Sequence, residues 1–218
     1  MTDVRWGRLP ALGVALLVAC GGGDGGGGTG PCTPGVATQL VKSGDGQSWY
    51  VNNPLPAPLS VTARDANNCA VPGVVVNWAV GSGGGAVNPT QSTTGATGVA
   101  TTTDSIGSSS PQTVTATFAG LAAPVTFTAT ASAPPTSGAV DVKDNFFSPQ
   151  TIVIQEGGTV TWTFAGAIAH TVTFTGGPDS GTPQTSGTFG PVTFTPAGTK
   201  SYFCKVHGNM TGTVTVVH

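Results

Sequence analysis

The residues of this sequence that could do chemistry are concentrated in one short segment near its C-terminal end. Cys204, His207 and Met210 follow one another at intervals of three residues. A loop that curled around an ion would bring their side chains to one point, and a thiolate, an imidazole and a thioether can all bind a metal. His170 offers a second imidazole and joins the set if its strand lies beside this loop. The spacing therefore predicts a metal site.

The donor atoms favour copper over other metals. A soft thiolate stabilises the reduced ion, imidazoles suit both oxidation states, and a thioether is a weak axial ligand. Zinc, the alternative for one Cys and two His, takes a fourth nitrogen, sulfur or oxygen ligand and has no use for a thioether. A lone His170 would more often be a buried polar residue. With the other three residues in place, we expect all four to bind one copper ion.

Alternation of apolar and polar residues predicts the strands that position these ligands. Residues 160–164 alternate so that valine, tryptophan and phenylalanine share the core-facing side. Residues 170–174 alternate in the same way, which places His170 at the end of a strand and points it into the protein. Cys204 ends a further strand, and Met210 precedes the last one.

Three motifs surround these ligands. They are Phe147-x-Pro149, the run from Gly157 to Trp162 that leads to His170-Thr171-Val172, and Tyr202-x-Cys204-x-x-His207-x-x-Met210. With them, residues 139–218 resemble a cupredoxin of the plastocyanin and amicyanin type, and the short spacings of the last motif resemble amicyanin. The resemblance implies a Greek-key β-sandwich, one type 1 (blue) copper ion and the transfer of single electrons.

The resemblance also assigns roles to residues that bind no metal. It implies that the backbone N–H of Thr171 donates a hydrogen bond to the Cys204 sulfur, a contact that would tune the reduction potential. It further implies a small apolar surface around His207 at which redox partners dock. This docking patch would comprise Ala167, Ile168, Ala169 and Gly208.

The composition excludes several other functions. Charged residues make up 7% of the 218 residues and the formal net charge is -2 at pH 7, so there is no basic surface for nucleic acid. Three histidines are too few for a trinuclear oxidase cluster, and a single cysteine in the loop is too few for a binuclear electron-transfer centre. No acid–base pair or activated nucleophile stands out. We therefore expect no catalytic residues and no enzyme activity.

The N-terminal residues have the pattern of an export signal. Arg5 and Arg8 precede an apolar run over residues 11–19. That run is too short to span a bilayer but has the length of a signal-peptide core. Residues 1–19 are thus predicted to be a lipoprotein signal peptide.

Cys20 closes the run in a sequence that resembles the bacterial lipobox, in which the cysteine is lipidated after cleavage. An ordinary signal peptide with a chance cysteine is the alternative. Residues 20–33 are predicted to be the lipidated cysteine and a glycine-rich tether that cannot bury a core. We expect a lipid-anchored protein of the bacterial cell envelope, periplasmic or surface-facing. Gly21 and Gly22 lack the aspartate that retains some lipoproteins at the inner membrane, which favours the outer membrane.

Short alternating segments also fill residues 34–131, where turns of Gly, Asn and Pro separate them, and this pattern favours a β-sandwich. Three packing motifs lie at 61–65, 76–78 and 98–100. With them the unit resembles a bacterial immunoglobulin-like domain of the invasin type. The Pro-rich residues 132–138 are predicted to link it to the unit at 139–218. The predicted fold class is all-β, with two consecutive β-sandwiches, the immunoglobulin-like one first and the cupredoxin-like Greek key second.

Cys32 and Cys69 have no role in lipidation or metal binding. In an oxidising compartment we expect them to form a disulfide. Closing a loop of that length contributes about 4 kcal/mol to stability in the chain-entropy model. Two free thiols are the alternative.

Together these expectations describe a membrane-anchored carrier of single electrons. Its partners would be one redox protein that donates the electron and another that accepts it, and the carrier would be a monomer. Two other functions use the same residues. Copper trafficking or storage needs the ligands but not fast redox cycling, and in a surface interaction protein the first unit would matter most and the copper site would be ancillary.

Overall fold

Alternating apolar and polar side chains form seventeen strands within residues 32–218, the part of the chain that this computed structural model describes. The predicted signal peptide, Cys20 and most of the tether lie outside the described residues. Among residues 32–218 there is no helix long and apolar enough to cross a membrane.

Nine strands build the first sandwich. They are β1 (Ala37–Ser43), β2 (Ser48–Tyr50), β3 (Leu59–Asp65), β4 (Val75–Ser82), β5 (Gly85–Asn88), β6 (Gln91–Thr93), β7 (Val99–Ile106), β8 (Gln112–Thr117) and β9 (Val125–Ser132). One sheet has the order β1-β3-β7-β5 and the other the order β2-β9-β8-β4-β6. In β3, Leu59, Val61 and Ala63 are buried and the residues between them are half-buried, as expected of a strand with one face on a core.

Eight strands build the second sandwich. They are β10 (Ser137–Lys143), β11 (Phe146–Ser148), β12 (Thr151–Gln155), β13 (Thr159–Phe164), β14 (Thr173–Phe174), β15 (Thr188–Thr193), β16 (Gly198–Phe203) and β17 (Thr211–Val217). The sheets have the orders β11-β10-β13-β15 and β12-β17-β16-β14. Trp162 is fully buried at the centre of the core, where its ring packs against Phe174, Phe194 and Tyr202.

Each sandwich has its own hydrophobic core. The predicted fold class, all-β with two consecutive sandwiches, is therefore confirmed. The residues predicted to link the two units, 132–138, cover the end of β9, the start of β10 and the turn between them.

Only glycine fits at one position of the strand that follows the ligand loop. Gly212 in β17 lies opposite Tyr202 in β16, and a Cβ at position 212 would lie 2.3 Å from Cζ of the tyrosine ring. The buried ring thus occupies the space beside the backbone of β17. This contact fixes β16 two residues before Cys204.

The segment that begins at His170 differs from its prediction. Sequence alternation predicted a strand over residues 170–174, but only Thr173–Phe174 form one, and His170 makes an isolated bridge with Gln184. All five side chains are buried. The loop at 178–184 hydrogen-bonds to the backbone of this segment and covers its second face, so the threonines are buried as well as the apolar residues.

Candidate metal centre

Two segments of the second sandwich bring the predicted nitrogen and sulfur ligands to one point. Cys204 follows β16 directly, His207 lies in the loop after it, and His170 comes from the segment before β14. The Cys204 sulfur lies 3.8 Å from Nδ1 of His170 and 3.6 Å from Nδ1 of His207. All three ligand atoms lie within 4.8 Å of one another. Donors at these distances can bind one ion together.

Met210, the fourth predicted ligand, is buried at the end of the same loop. Its side chain is 2% exposed and belongs to the same core cluster as Cys204. Two backbone hydrogen bonds close the loop: the Cys204 N–H donates to the Met210 carbonyl at 2.9 Å, and the Met210 N–H donates to the His207 carbonyl at 3.0 Å. The three-residue spacing of the sequence thus corresponds to a closed turn whose two ends, Cys204 and Met210, are joined through their backbones.

Thr171 contacts the Cys204 sulfur in the manner that the resemblance implies. Its backbone N–H donates to Sγ at 3.4 Å, and its hydroxyl lies 4.0 Å from the same atom. The hydroxyl also accepts the N–H of Lys205 at 2.9 Å. Because Thr171 is only 1% exposed, water does not compete for these contacts. Thr171 thus contacts both the sulfur of Cys204 and the backbone of the next residue.

A polar chain extends this arrangement to the surface. The Thr173 hydroxyl contacts the hydroxyl of Thr171 at 3.3 Å and Oδ1 of Asp179 at 3.4 Å. The other carboxylate oxygen of Asp179 pairs with the Lys205 ammonium. That hydrogen bond, helped by the N–H of Gly181, lowers the pKa of Asp179. The loop that covers the ligand segment is thus tied to the residue after the cysteine ligand.

The far side of the His170 ring faces a carboxylate. Oδ1 of Asp144 lies 3.5 Å from Nε2 of His170 and accepts the backbone N–H of Ile168 at 3.0 Å. Hydrogen bonds from the N–H groups of Ile168 and Ala167 lower the pKa of the Asp144 carboxyl, and the contact with His170 adds to this effect. A Cβ at Gly166 would lie 2.3 Å from Oδ1, so this loop can wrap around the carboxylate only with a glycine there.

The predicted docking patch lies on the two loops that carry the candidate histidine ligands. Ala167, Ile168 and Gly208 are exposed, and Ala169 and His207 are half-buried. A further apolar side chain, Val206, lies in the same loop as His207 and is 49% exposed. The exposed apolar surface of that loop is therefore larger than the resemblance implies.

The donor set fits copper. A thiol and two imidazoles lie together, and a buried methionine ends the same loop, so the residue types match the His₂Cys–Met combination of copper sites; the group of three contains no carboxylate that a harder metal would prefer. His170 is 1% and Cys204 2% exposed, whereas His207 reaches the surface. The site is thus closed to water except at one imidazole.

Cys32 and Cys69 form a disulfide in the first sandwich, away from the candidate metal centre. Asp65 at the end of β3 shapes the turn that presents Cys69: its carboxylate accepts the N–H groups of Asn67 and Cys69, both at 2.9 Å, and that of Gly35 at 2.8 Å. These bonds, that from Gly35 above all, lower the pKa of Asp65. The predicted lipidation site, Cys20, lies outside the described residues.

Sequence reasoning missed Asp144 and Asp179. Each lies 26 residues from the side chain that it contacts near the metal ligands, His170 for the first and Lys205 for the second. No motif or alternation connects residues at that separation, so only the folded chain shows the contacts.

No protein-family model and no curated protein matches this chain. Solved structures do match. A mutant plastocyanin of fern is 25% identical, with 36% of this chain and 99% of that chain covered at a TM-score of 0.32. An oxidized amicyanin mutant is 31% identical, with 37% and 82% covered at a TM-score of 0.33. The D0-D1 domain of intimin is 15% identical, with 82% and 95% covered at a TM-score of 0.37. The chain is similar to these proteins.

Proposed function

We propose that this protein is a type 1 copper protein that carries single electrons between redox partners in the bacterial cell envelope. The observation that supports it is the buried cluster of His170, Cys204 and His207 on the closed loop that ends at Met210. A copper ion bound there would gain and lose one electron as it changes oxidation state. The chain's own part is to hold the ligands in one arrangement in both states.

The rigidity of the ligands favours electron transfer over copper trafficking or storage. A protein that hands over its ion must open its site, but here Cys204 is buried and contacts Thr171, while its loop is closed by two backbone hydrogen bonds. The Lys205–Asp179 pair adds a link to the neighbouring loop. Ligands held this firmly keep the rearrangement between oxidation states small, which suits fast electron exchange.

The exposed edge of the site indicates where electrons would pass. His207 is the ligand that reaches the surface, and the apolar residues around it include Ile168 and Val206. Small apolar surfaces suit brief encounters between redox proteins. We propose that the donor and the acceptor both dock here, that the carrier acts as a monomer, and that the protein catalyses no reaction of its own.

The optical spectrum of the purified, copper-loaded full-length protein tests this function. We expect one copper ion per chain, intense absorption in the orange-red and reversible one-electron reduction. Cys204→Ser keeps the shape of the ligand but replaces its sulfur, so the variant should be colourless. A colourless wild-type protein with copper bound would rule out the proposal, and rapid transfer of copper to a chelator without a redox cycle would favour trafficking.

The location in the cell is a separate part of the proposal. It rests on the lipobox-like sequence at Cys20, and it places the copper domain on a lipid-anchored, tethered stalk at the outer membrane. Fractionation of cells that express the wild type and Cys20→Ser would test it. The wild type should sediment with the outer membrane and the variant should not. Equal distribution of the two proteins would contradict a lipid anchor.

A further inference from the structure

We propose that Asp144 is the positioning residue for the first histidine ligand: its carboxylate holds the Nε2–H side of the His170 ring, so that Nδ1 keeps its lone pair for the metal. This inference deepens the proposed function and rests on it for the part that concerns copper. The part that concerns the imidazole holds for the metal-free protein as well.

The two nitrogens of His170 face different groups. Nδ1 faces the cysteine sulfur at 3.8 Å, and Nε2 faces Oδ1 of Asp144 at 3.5 Å. A neutral imidazole carries a proton on one nitrogen and a lone pair on the other. A carboxylate attracts the N–H side of the ring, so Asp144 favours the tautomer in which Nδ1 is free to bind a metal. The contact is longer than an ordinary hydrogen bond, so the charge of the carboxylate carries much of the effect.

The carboxylate is itself fixed in place. Asp144 sits in the turn between β10 and β11, where the next residue, Asn145, adopts a left-handed conformation with φ of 68°. Its Oδ1 accepts the N–H of Ile168, two residues before the ligand. The same atom therefore contacts both the ligand ring and the loop that leads to it. Asp144 thus determines where the loop runs and how the ring at its end is turned.

Among residues 32–218, no lysine or arginine side chain pairs with Asp144. The nearest lysine along the strand, Lys143, pairs instead with Asp141 at 3.4 Å, and the Lys205 ammonium pairs with Asp179. The negative charge is therefore free to act on the ring. A negative charge beside a ligand stabilises the more positive, oxidised metal, so Asp144 should lower the midpoint potential of the centre.

Three variants separate orientation, charge and shape in the full-length protein. Asp144→Ala removes the acceptor from the ring, Asp144→Asn keeps the shape and the acceptor for Ile168 but removes the charge, and Asp144→Glu restores the charge. Asp45→Asn is the control, because it removes an exposed carboxylate whose partners, Lys42 and the N–H of Thr128, lie in the first sandwich.

Nitrogen-15 NMR of the metal-free protein at about pH 9, where imidazoles are neutral, tests the orientation. We expect His170 of the wild type to be a single Nε2–H tautomer with a proton protected from exchange. In Asp144→Ala, that protection should be lost and a measurable fraction of the Nδ1–H form should appear. A ring that behaves alike in both proteins would overturn the inference, whatever the copper-loaded protein does.

The midpoint potential of the copper-loaded protein tests the charge. It should rise in Asp144→Asn, return toward the wild-type value in Asp144→Glu and stay unchanged in Asp45→Asn. Equal potentials in Asp144→Asn and Asp45→Asn would overturn the inference. A wild type that binds copper without the orange-red absorption would count against the proposed function, and the NMR result on the metal-free protein would still decide the role of Asp144.

Discussion

Met210 is the predicted ligand whose chemistry most directly separates a redox site from a simple copper-binding site. It is only 2% exposed, and the backbone of the loop that ends with it is hydrogen-bonded to Cys204. A thioether is a weak, soft axial ligand, and the axial ligand sets the balance between the two oxidation states. The potential of the site should therefore respond to the type of donor at this position.

Two substitutions at position 210 make this testable. Met210→Gln supplies a harder oxygen donor that stabilises the oxidised ion, so the midpoint potential should fall. Met210→Leu supplies no donor, so the midpoint potential should rise. We expect each shift to exceed about 59 mV, which corresponds to a tenfold change in the equilibrium of a one-electron couple. Voltammetry of both variants measures it. Shifts of the same sign would contradict an axial role, because both variants disturb the packing but only one supplies a donor.

At the scale of single residues, the sequence indicates the candidate ligands but not the residues that support them. Cys204, His207 and Met210 can be recognised as candidates because they lie three residues apart in one short loop. Asp144 and Asp179 could not be predicted, because their contacts join segments that only the fold brings together. Such contacts depend on where a loop runs, and local residue patterns do not encode that.

Strands β7 and β8 are joined by a buried polar pair that also lay beyond sequence reasoning. Asp104 in β7 is 1% exposed, and its carboxylate accepts a hydrogen bond from the side chain of Gln112 in β8. The other end of the Gln112 amide accepts the N–H of Gly107 at 2.6 Å. These contacts connect the two sheets of the first sandwich. Burial raises the pKa of Asp104 to about 6, although the hydrogen bond from Gln112 opposes the shift.

This raised pKa predicts a pH dependence of stability. The folded state holds the proton more tightly than the unfolded state, whose pKa is near 3.8. Below about pH 4, Asp104 does not lower the free energy of unfolding. Between about pH 4 and 6 it lowers this free energy increasingly, and above that range by up to about 3 kcal/mol. Asp104→Asn keeps the acceptor without the charge, so it should stabilise the protein at neutral pH and not at pH 4. Denaturant unfolding of both proteins across this pH range measures the difference in their free energies of unfolding.

The comparison of the two proteins isolates Asp104 from the other carboxyl groups. Asp65 and Asp179, whose pKa values are lowered, contribute stability that is lost as the pH falls below about 4, and they do so equally in wild type and variant. A stability difference between the two proteins that does not change with pH would contradict a charged, buried Asp104.

Alternation of apolar and polar residues predicted strands correctly where one face of the strand meets solvent, and incorrectly where both faces are covered. The alternation in β3 and β13 predicted which side chains are buried. It failed at residues 170–174, because the loop at 178–184 lies over the second face and makes the segment a buried connection. The sequence of that loop, rich in Gly, Pro and small polar residues, carries no period that could have predicted it.

Over the whole described chain, one side chain connects the two sandwiches in a way that no motif indicated. Asn53 follows β2, and its carbonyl accepts the N–H of Ile106 at the end of β7. Its side-chain amide binds the residue after β17: Nδ2 donates to the His218 carbonyl at 2.9 Å, and Oδ1 accepts the His218 N–H at 3.0 Å. Asn53 is 4% exposed. The backbone of the first sandwich is thereby linked to the last strand of the second.

We expect Asn53→Ala to loosen this connection and leave both cores intact. The variant removes the partner of two partly buried hydrogen bonds. Because His218 is exposed, water can replace part of what is lost, so we expect a cost of about 1 kcal/mol, and this loss falls on the contact between the sandwiches. Nitrogen-15 relaxation should give one rotational correlation time for both sandwiches in the wild type and in the exposed control Asn67→Ala, and two different times in Asn53→Ala. A shared correlation time in all three proteins would mean that Asn53 is not needed to hold the copper-binding sandwich in a fixed position on the first.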